Sequence, residues 1–299
     1  MVSKLIAQVT RVAKWLWLVL LVGAVIFYLS QHFESIGPQL QAVSITRLLI
    51  AYLFLVIAKV LLVGVSYESV AVTRYVLPVR RMFFINAISQ LAKYLPGGIW
   101  HFVGRAGFYR HAGMPLKKAS QAMIIENIWL VTSALIAGAA YCAVYYLASP
   151  LDILVVVGLI VVHIAILFLS SPPEPGRLLS VLVAAGLEWA SLTLMGIALW
   201  LIVPEMADAG YLSLAIGAFC ISWVIGYVAI FAPSGIGVRE GVLVALLASV
   251  APPETIVLYA TIHRFAWIIS ELTLALFAKL FADEAAEAVL NAVVTDASE

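Results

Sequence analysis

The sequence predicts an all-α polytopic membrane protein with six spanning helices and two re-entrant helical hairpins, arranged as an inverted repeat. Three observations carry this prediction: an apolar composition, a series of long apolar runs, and two segments broken by Pro and Gly. Of the 299 residues, 64% are hydrophobic and 11% are charged, and the mean hydropathy is +1.09. Soluble domains are about 45–50% apolar and about 25% charged. The composition therefore excludes a soluble enzyme, a disordered chain and a nucleic-acid-binding protein.

Six apolar runs are long enough to cross a bilayer, for which a helix needs about 20 residues. The predicted spans are 12–30, 47–72, 119–147, 151–169, 177–203 and 255–281. Basic residues accompany the start of the first run, as in a signal peptide, but no small-residue cleavage site follows it. We therefore predict a retained helix. Cys142 and Cys220 both lie inside apolar runs, which excludes a disulfide framework.

Two further regions, 82–110 and 211–250, are interrupted by Pro and Gly near their middles. They align at a constant offset of 137 residues, and the same offset brings Pro115 onto Pro252 and the neighbouring spans onto each other. Internal repeats of this kind are typical of transporters, although Pro and Gly also recur by chance in membrane helices. We predict a single membrane domain, 1–299, with one repeat at about 10–147, a second at about 149–282, and a cytoplasmic tail at 283–299.

The distribution of Lys and Arg predicts how these segments lie in the membrane, because cytoplasmic loops carry the excess of these residues. The basic residues after the first broken segment are Arg105, Arg110, Lys117 and Lys118. They stay on the cytoplasmic side only if that segment enters the membrane and returns. Each half then makes three crossings, so the halves are inverted and both termini are cytoplasmic, in the cell inner (plasma) membrane. Non-helical backbone at membrane depth is tolerated where it is buried or lines a wet cavity, which predicts a site between the two hairpin tips.

Candidate binding residues come from the hairpin tips and from charges at membrane depth. A half-helix N-terminus presents free N–H groups that bind anions, and charges inside the membrane are costly and mark a pathway by default. The predicted substrate-binding residues are Lys93, Pro96, Gly97, Gly98, Arg105, Glu126, Pro233, Ser234, Gly235, Gly237, Arg239, Glu240, His263 and Arg264.

Several of these charges have two interpretations. Arg239 and Glu240 either neutralise each other or act together, with Arg239 holding an anionic head group that Glu240 orients. Arg105 either snorkels to lipid phosphates or has a specific role. Glu126 has Arg105 and Lys93 as alternative partners, and it and Glu240 would balance charge or take a proton.

Other membrane charges offer structural partners. Arg264 either meets Glu240 or binds the ligand, while Lys59 and Glu188 are candidates for a buried ion pair. His163 is interpreted as a packing residue. The sequence contains no G-x-S-x-G, H-E-x-x-H, Walker A or C-x-x-C motif. We therefore predict no catalytic residue, no metal and no cofactor, and any transport would be passive or coupled to an ion gradient.

The two broken segments resemble a known family. The motif LPGGI at 95–99, followed by Glu126 in the next span, resembles the first half of the lysylphosphatidylglycerol synthase transmembrane-region family. The pattern P-x-G-x-G-x-x-E at 233–240, followed by Arg264, resembles its second half. The similarity extends from about residue 10 to 282. In the bifunctional members, this part is similar to a flippase that moves aminoacylated phosphatidylglycerol between leaflets.

The resemblance implies a stand-alone lipid translocase without the aminoacyl-transferase domain. Its expected partners are the membrane and an anionic phospholipid or a polyprenyl-phosphate lipid, since other members occur beside glycosyltransferases of polyprenyl-lipid pathways. Nucleic acid is not an expected partner. Two alternatives stay open: a membrane glycosyltransferase of a polyprenyl-lipid pathway, and a non-transporting partner of a lipid-modifying enzyme. A homo-oligomer is also left open.

Overall fold

Long α-helices form the regular structure of the computed structural model, which describes residues 41–94, 100–147, 149–229 and 232–282. The helices that lie wholly within these residues are α1 (Ile45–Ala71), α2 (Val79–Leu91), α3 (Trp100–His111), α4 (Leu116–Leu147), α5 (Leu151–Ser170), α6 (Arg177–Ile202), α7 (Leu212–Val228), α8 (Val238–Leu246) and α9 (Pro253–Leu280). No strand occurs in the described part of the chain. The all-helical class predicted from the sequence is confirmed.

The described residues include six helices that are long and apolar enough to cross a membrane, and the protein is a multi-pass membrane protein. Five of them, α1, α4, α5, α6 and α9, correspond to predicted spans. The predicted span at 12–30 lies outside the described residues. The sixth candidate is Ala209–Val228, which the sequence assigned to the first arm of the second broken region. Its 20 residues have the length of a full span.

Short 3-10 turns follow α2 and lie between α7 and α8. The first turn, Ala92–Tyr94, comes directly after α2, and the predicted tip residues Pro96, Gly97 and Gly98 lie outside the described residues. The second turn is Pro233–Gly235. The two turns pack against each other, so the interruptions of both regions meet inside the bundle.

Close helix packing surrounds this meeting point. The most extensive interface joins α1 and α6, and α7 is covered by α4, α6 and α8. A Cβ atom at Gly196 of α6 would lie 2.5 Å from the Cα atom of Ile216 in α7, so these backbones are in contact. Small residues permit such approach in membrane helices. By contrast, α5 lies at the periphery, with only 11% of its apolar window buried. Many of its large apolar side chains are exposed, although Leu167 is fully buried.

The loops form two groups at opposite ends of the bundle. At one end, Arg74 forms an ion pair with Glu174, and Arg80 Nε donates to the carbonyl of Phe281 at 2.9 Å. At the other end, the rings of Tyr145 and Tyr211 lie 6.3 Å apart. The basic residues of the first end are Arg74, Arg80, Arg81, Arg110, Lys117, Lys118, Arg177 and Lys279. We call this end the basic end.

Candidate functional site

A cavity of about 530 Å³ lies where the two interrupted regions meet the long helices. Helices α1, α2, α3, α4, α6, α7, α8 and α9 all contribute to its lining. Among the residues that the structure describes, the charged ones that line it are Lys59, Lys93, Arg105, Glu126, Arg239, Glu240, Arg264 and Glu271. Five of these are basic and three acidic, so the described lining carries two formal positive charges in excess. Because uncompensated charge is costly inside a membrane protein, this excess points to an anionic ligand.

Glu271 of α9 lines the cavity and accepts hydrogen bonds from four side chains. Lys59 Nζ of α1 lies 2.6 Å from its Oε1 atom, and Lys93 Nζ of the first 3-10 turn lies 2.5 Å from the same oxygen. The indole N–H of Trp267 also donates to Oε1, at 2.8 Å. The hydroxyl of Tyr94 donates to Oε2 at 2.8 Å. A single carboxylate therefore fixes the first turn to α1 and α9.

Three cations surround the ring of Trp267. Lys59 Nζ lies 3.3 Å from the ring centroid, Lys93 Nζ lies 5.7 Å from it, and Arg239 Cζ lies 5.8 Å from it. Cations within about 6 Å of an aromatic face are attracted by the ring quadrupole. We call these three residues with Trp267 and Glu271 the Trp267 cluster. It brings α1 and the first turn together with α8 and α9, which lie more than 140 residues further along the chain.

Among the described residues, Arg239 is the cavity cation that has no counter-charge of its own. Its Nε atom is buried without a hydrogen-bond partner, and the described residues include no ion pair of its guanidinium. Its contacts are aromatic, since Cζ lies 5.6 Å from the ring of Trp223 as well as beside Trp267. Its aliphatic stem packs on Gly226 of α7, where any Cβ atom would overlap it. The pairing of Arg239 with Glu240 that the sequence left open does not form.

Glu240 instead pairs with Arg264 and shapes the second turn. Arg264 Nη1 donates to Glu240 Oε1 at 3.0 Å, and Glu240 Oε2 accepts from the backbone N–H of Gly237 at 2.7 Å. Arg264 Nη2 donates to the carbonyl of Ser234 at 2.5 Å. Ser234 has a φ of 54° and Gly235 a φ of 70°, so the turn is left-handed at two successive residues. The ion pair thus holds an unfavourable turn conformation.

Arg105 and Glu126 form a second buried pair on the side of the cavity lined by α3 and α4. Arg105 Nη1 donates to Glu126 Oε1 at 2.7 Å, and the hydroxyl of Ser66 donates to the same oxygen at 2.8 Å. Glu126 Oε2 has no hydrogen-bond partner and belongs to the cavity wall. Of the two partners predicted for Glu126, the structure selects Arg105, because Lys93 is held by Glu271.

Most of the predicted site residues meet in this one cavity. Those that line it are Lys93, Arg105, Glu126, Ser234, Gly235, Arg239, Glu240, His263 and Arg264. His263 is buried and its Nε2 atom lies 3.2 Å from the carbonyl oxygen of Met195. Pro233 begins the second turn and Gly237 supplies the N–H that Glu240 accepts. No group of three or more His, Cys, Asp or Glu in the described ranges could hold a metal ion.

The sequence missed the contribution of Lys59, Glu271 and Trp267. Lys59 was a candidate partner of Glu188, and that pairing is wrong, because Lys59 binds Glu271. The available signal was that Glu271 follows Arg264 by seven residues, two helical turns, and therefore shares its face. Trp267 lies between them on the same helix. An aromatic residue between two charges on one membrane helix is a feature from which Trp267 and Glu271 could have been predicted.

Glu188 belongs to a separate buried cluster outside the cavity. The hydroxyl of Ser133 donates to Glu188 Oε2 and lies 2.6 Å from His163 Nε2. Trp189 Nε1 donates to His163 Nδ1 at 3.0 Å. His163 is buried with its ring hydrogen-bonded on both nitrogens, so it packs within this cluster and does not line the cavity.

Comparison with known proteins adds no assignment to this geometry. No family model matches the chain, and a search of curated proteins finds no match either. The resemblance to the lysylphosphatidylglycerol synthase transmembrane region stays a prediction from the motifs.

Proposed function

We propose that this protein binds the anionic head group of a lipid in the cavity and moves the lipid between the leaflets of the membrane. The observation that carries the proposal is Arg239, a cavity cation with no ion pair among the described residues, in a lining with two excess positive charges. A bound phosphate would supply the missing anion, and the planar guanidinium is suited to two parallel hydrogen bonds to it.

The apolar part of the lining favours a lipid over a soluble anion. Phe83, Phe102 and Leu274 line the cavity beside the charged residues. Val228 also lines it and is 60% exposed, so the cavity is open near the end of α7. In the proposed arrangement, this opening faces the bilayer. A lipid could place its head group among the cations while its acyl chains stay in the bilayer.

Helix positions support the proposal of two related halves. Helices α2 and α7 end at Leu91 and Val228, 137 residues apart, and helices α4 and α9 begin at Leu116 and Pro253, again 137 residues apart. The repeat partners α1 and α6 pack along each other. Halves of inverted orientation around a central site are the arrangement that many transporters use for alternating access.

Loop contacts support re-entry of the first broken segment. A side chain at Gly113, just after α3, would lie 3.2 Å from the hydroxyl of Tyr75, just before α2. The segment thus begins and ends near the same end of the bundle, the basic end. We propose that this end is cytoplasmic, with both termini on that side of the plasma membrane. By the repeat, the second segment would enter from the opposite side.

The motif resemblance extends the proposal to the ligand class. The lysylphosphatidylglycerol synthase transmembrane region implies an anionic phospholipid or a polyprenyl-phosphate lipid as cargo. The motif residues Glu240 and Arg264 lie in the cavity wall and contact each other. Arg264 and Glu240 would then shape the turn beside the head group, while Arg239 binds it directly.

Lipid movement in proteoliposomes tests the proposal. Labelled phosphatidylglycerol, its lysyl form, a polyprenyl phosphate and phosphatidylcholine are compared, with and without a proton gradient. We expect movement of an anionic class and a loss of at least about tenfold in Arg239→Gln, by analogy with the removal of one charged partner. The matched control is Arg177→Gln, because Arg177 also stacks on an aromatic ring, 3.6 Å from the centroid of Phe168, but does not line the cavity. It should move lipid like the wild type.

Two outcomes would contradict the proposal of lipid translocation. Equal lipid movement with wild-type protein, with Arg239→Gln and in empty liposomes would rule out translocation. Formation of a glycosylated product from a polyprenyl-phosphate sugar would instead favour the enzyme alternative, for which Glu126 offers an unpartnered carboxylate oxygen in the cavity wall. A Glu126→Gln variant that loses product formation but keeps lipid binding would assign that role.

A further inference from the structure

The charges of the Trp267 cluster indicate which phosphate the cavity takes. Resting on the proposed lipid site, we propose that the preferred ligand is a phosphomonoester, a terminal phosphate that carries two negative charges, rather than a phosphodiester that carries one. Phosphatidic acid and polyprenyl phosphates end in such a group, whereas phosphatidylglycerol does not.

The excess positive charge of the cavity lies around Trp267. Arg105 is paired with Glu126 and Arg264 with Glu240, so these two pairs are neutral. The remaining cavity charges in the described part of the chain are those of the Trp267 cluster: three cations and the single carboxylate of Glu271. The two formal charges in excess are therefore concentrated around one indole ring, within about 6 Å of its centroid.

Leaving that positive charge uncompensated is costly in an enclosed site. The side chains of Lys59, Lys93 and Glu271 are only 10%, 16% and 3% exposed, so water screens them weakly. A ligand with one negative charge would leave one cation unbalanced in this enclosed site. A dianion would neutralise both, and interactions between charges gain strength where the effective dielectric constant is low.

The number of hydrogen-bond acceptors on the ligand also favours a phosphomonoester. A phosphomonoester presents three terminal oxygens as strong hydrogen-bond acceptors, one for each cation of the cluster. Each lysine ammonium has three N–H donors, of which one points to Glu271 Oε1. Both lysines therefore keep donors for a ligand while Glu271 stays in place. Trp267 and Tyr94 hold that carboxylate through their own hydrogen bonds.

The test measures competition between matched lipids. The full chain is placed in phosphatidylcholine nanodiscs with equal amounts of dioleoyl phosphatidic acid and dioleoyl phosphatidylglycerol, and the lipid that stays bound is counted by native mass spectrometry. At pH 8 we expect phosphatidic acid to be retained at least about tenfold over phosphatidylglycerol, because it carries the second charge. At pH 5 the preference should fall below about twofold, since the second phosphate pKa is about 6.

Variants connect the preference to the cluster. Lys93→Gln and Lys59→Gln each remove one of the two excess charges, so each should bring retention of the two lipids close to parity. Lys117→Gln is the matched control, because Lys117 is an exposed lysine at the start of α4 and lies outside the cavity. It should keep the wild-type preference. If one cluster variant fails to fold, the other still tests the charge count.

The outcomes separate this inference from the proposed function. Equal retention of both anionic lipids at pH 8, lost for both in Arg239→Gln, would overturn the phosphomonoester assignment and leave the anionic lipid site. No retention of either lipid over phosphatidylcholine would overturn both. Inorganic phosphate is added in a further arm. We expect it to displace little phosphatidic acid, and complete displacement would assign the site to soluble phosphate and overturn the lipid source.

Discussion

At the scale of single residues, the pairing of Arg105 with Glu126 predicts a stability defect that does not depend on the ligand. Arg105 is 4% exposed and its guanidinium contacts Glu126 at 2.7 Å. Glu126→Gln would leave this cation enclosed without an anion, and removal of one partner from a buried pair costs about 3–5 kcal/mol. We expect a loss of about 3 kcal/mol in the free energy of unfolding, measured by titration with SDS in mixed micelles.

The exposed pair of Arg74 and Glu174 is the matched control for this substitution. The side chains of Arg74 and Glu174 are 65% and 21% exposed, and exposed pairs contribute about 0–1 kcal/mol. Glu174→Gln should therefore change the unfolding free energy little. Equal losses for Glu126→Gln and Glu174→Gln would mean that the enclosure of Arg105 has no energetic consequence, contrary to the burial argument.

At the scale of elements, the second turn depends on a glycine that permits contact between backbones. Gly235 has a φ of 70°, and a Cβ atom there would lie 2.6 Å from the carbonyl oxygen of Gly226 in α7. Gly235→Ala would both strain the left-handed conformation and separate the turn from α7. We expect a lower thermal midpoint in detergent and a loss of lipid movement, since Arg239 packs on the same Gly226.

Gly241 of α8 provides the control for that change. A Cβ atom at Gly241 meets no atom within 4 Å, and Ala exceeds Gly in helix propensity by about 0.8–1.0 kcal/mol. Gly241→Ala should therefore leave activity intact and raise the thermal midpoint slightly. A Gly235→Ala variant as stable and active as Gly241→Ala would show that the close approach of the turn to α7 is not required.

The sequence predicts the membrane spans more readily than it predicts which charged residues pair. Apolar runs are long, so five described spans and both interruptions follow from the length of these runs and from the positions of Pro and Gly. The identity of charge partners was harder. Arg264 with Glu240 was foreseeable because both belong to one half, but Lys59 with Glu271 joins α1 to α9 across 212 residues. No local spacing encodes that contact, which arises only when α1 packs against α9.

At the scale of the whole molecule, re-entry of the interrupted segments predicts which loops lie on the same side of the membrane. Ala209–Val228 is long enough to cross completely, in which case the loops before α7 and after α8 would lie on opposite sides. Re-entry places both loops on one side. For the first segment, re-entry puts the loops before α2 and after α3 together at the basic end.

Cysteine labelling in intact cells distinguishes these arrangements. With Cys142 and Cys220 replaced by Ala, single cysteines are introduced at four exposed positions, as Val76→Cys, Lys117→Cys, Ala207→Cys and Ser249→Cys. A membrane-impermeant maleimide added outside should label positions 207 and 249 and leave 76 and 117 unlabelled until the cells are opened. The positive-inside rule sets this direction, since the basic residues flank positions 76 and 117.

Each departure from this pattern has a distinct physical meaning. Labelling of 207 without 249 would mean that the second segment crosses, so that the second half makes four crossings and the proposed inverted symmetry is lost. Different labelling of 76 and 117 would mean that the first segment crosses, so that the first half makes four crossings and the two halves start on the same side of the membrane. Labelling of 76 and 117 alone would keep both hairpins and reverse the protein in the membrane. In that orientation, the first turn, which carries Lys93, would enter from the outer leaflet. A lipid phosphate would then reach the cations of the Trp267 cluster from the opposite side of the membrane.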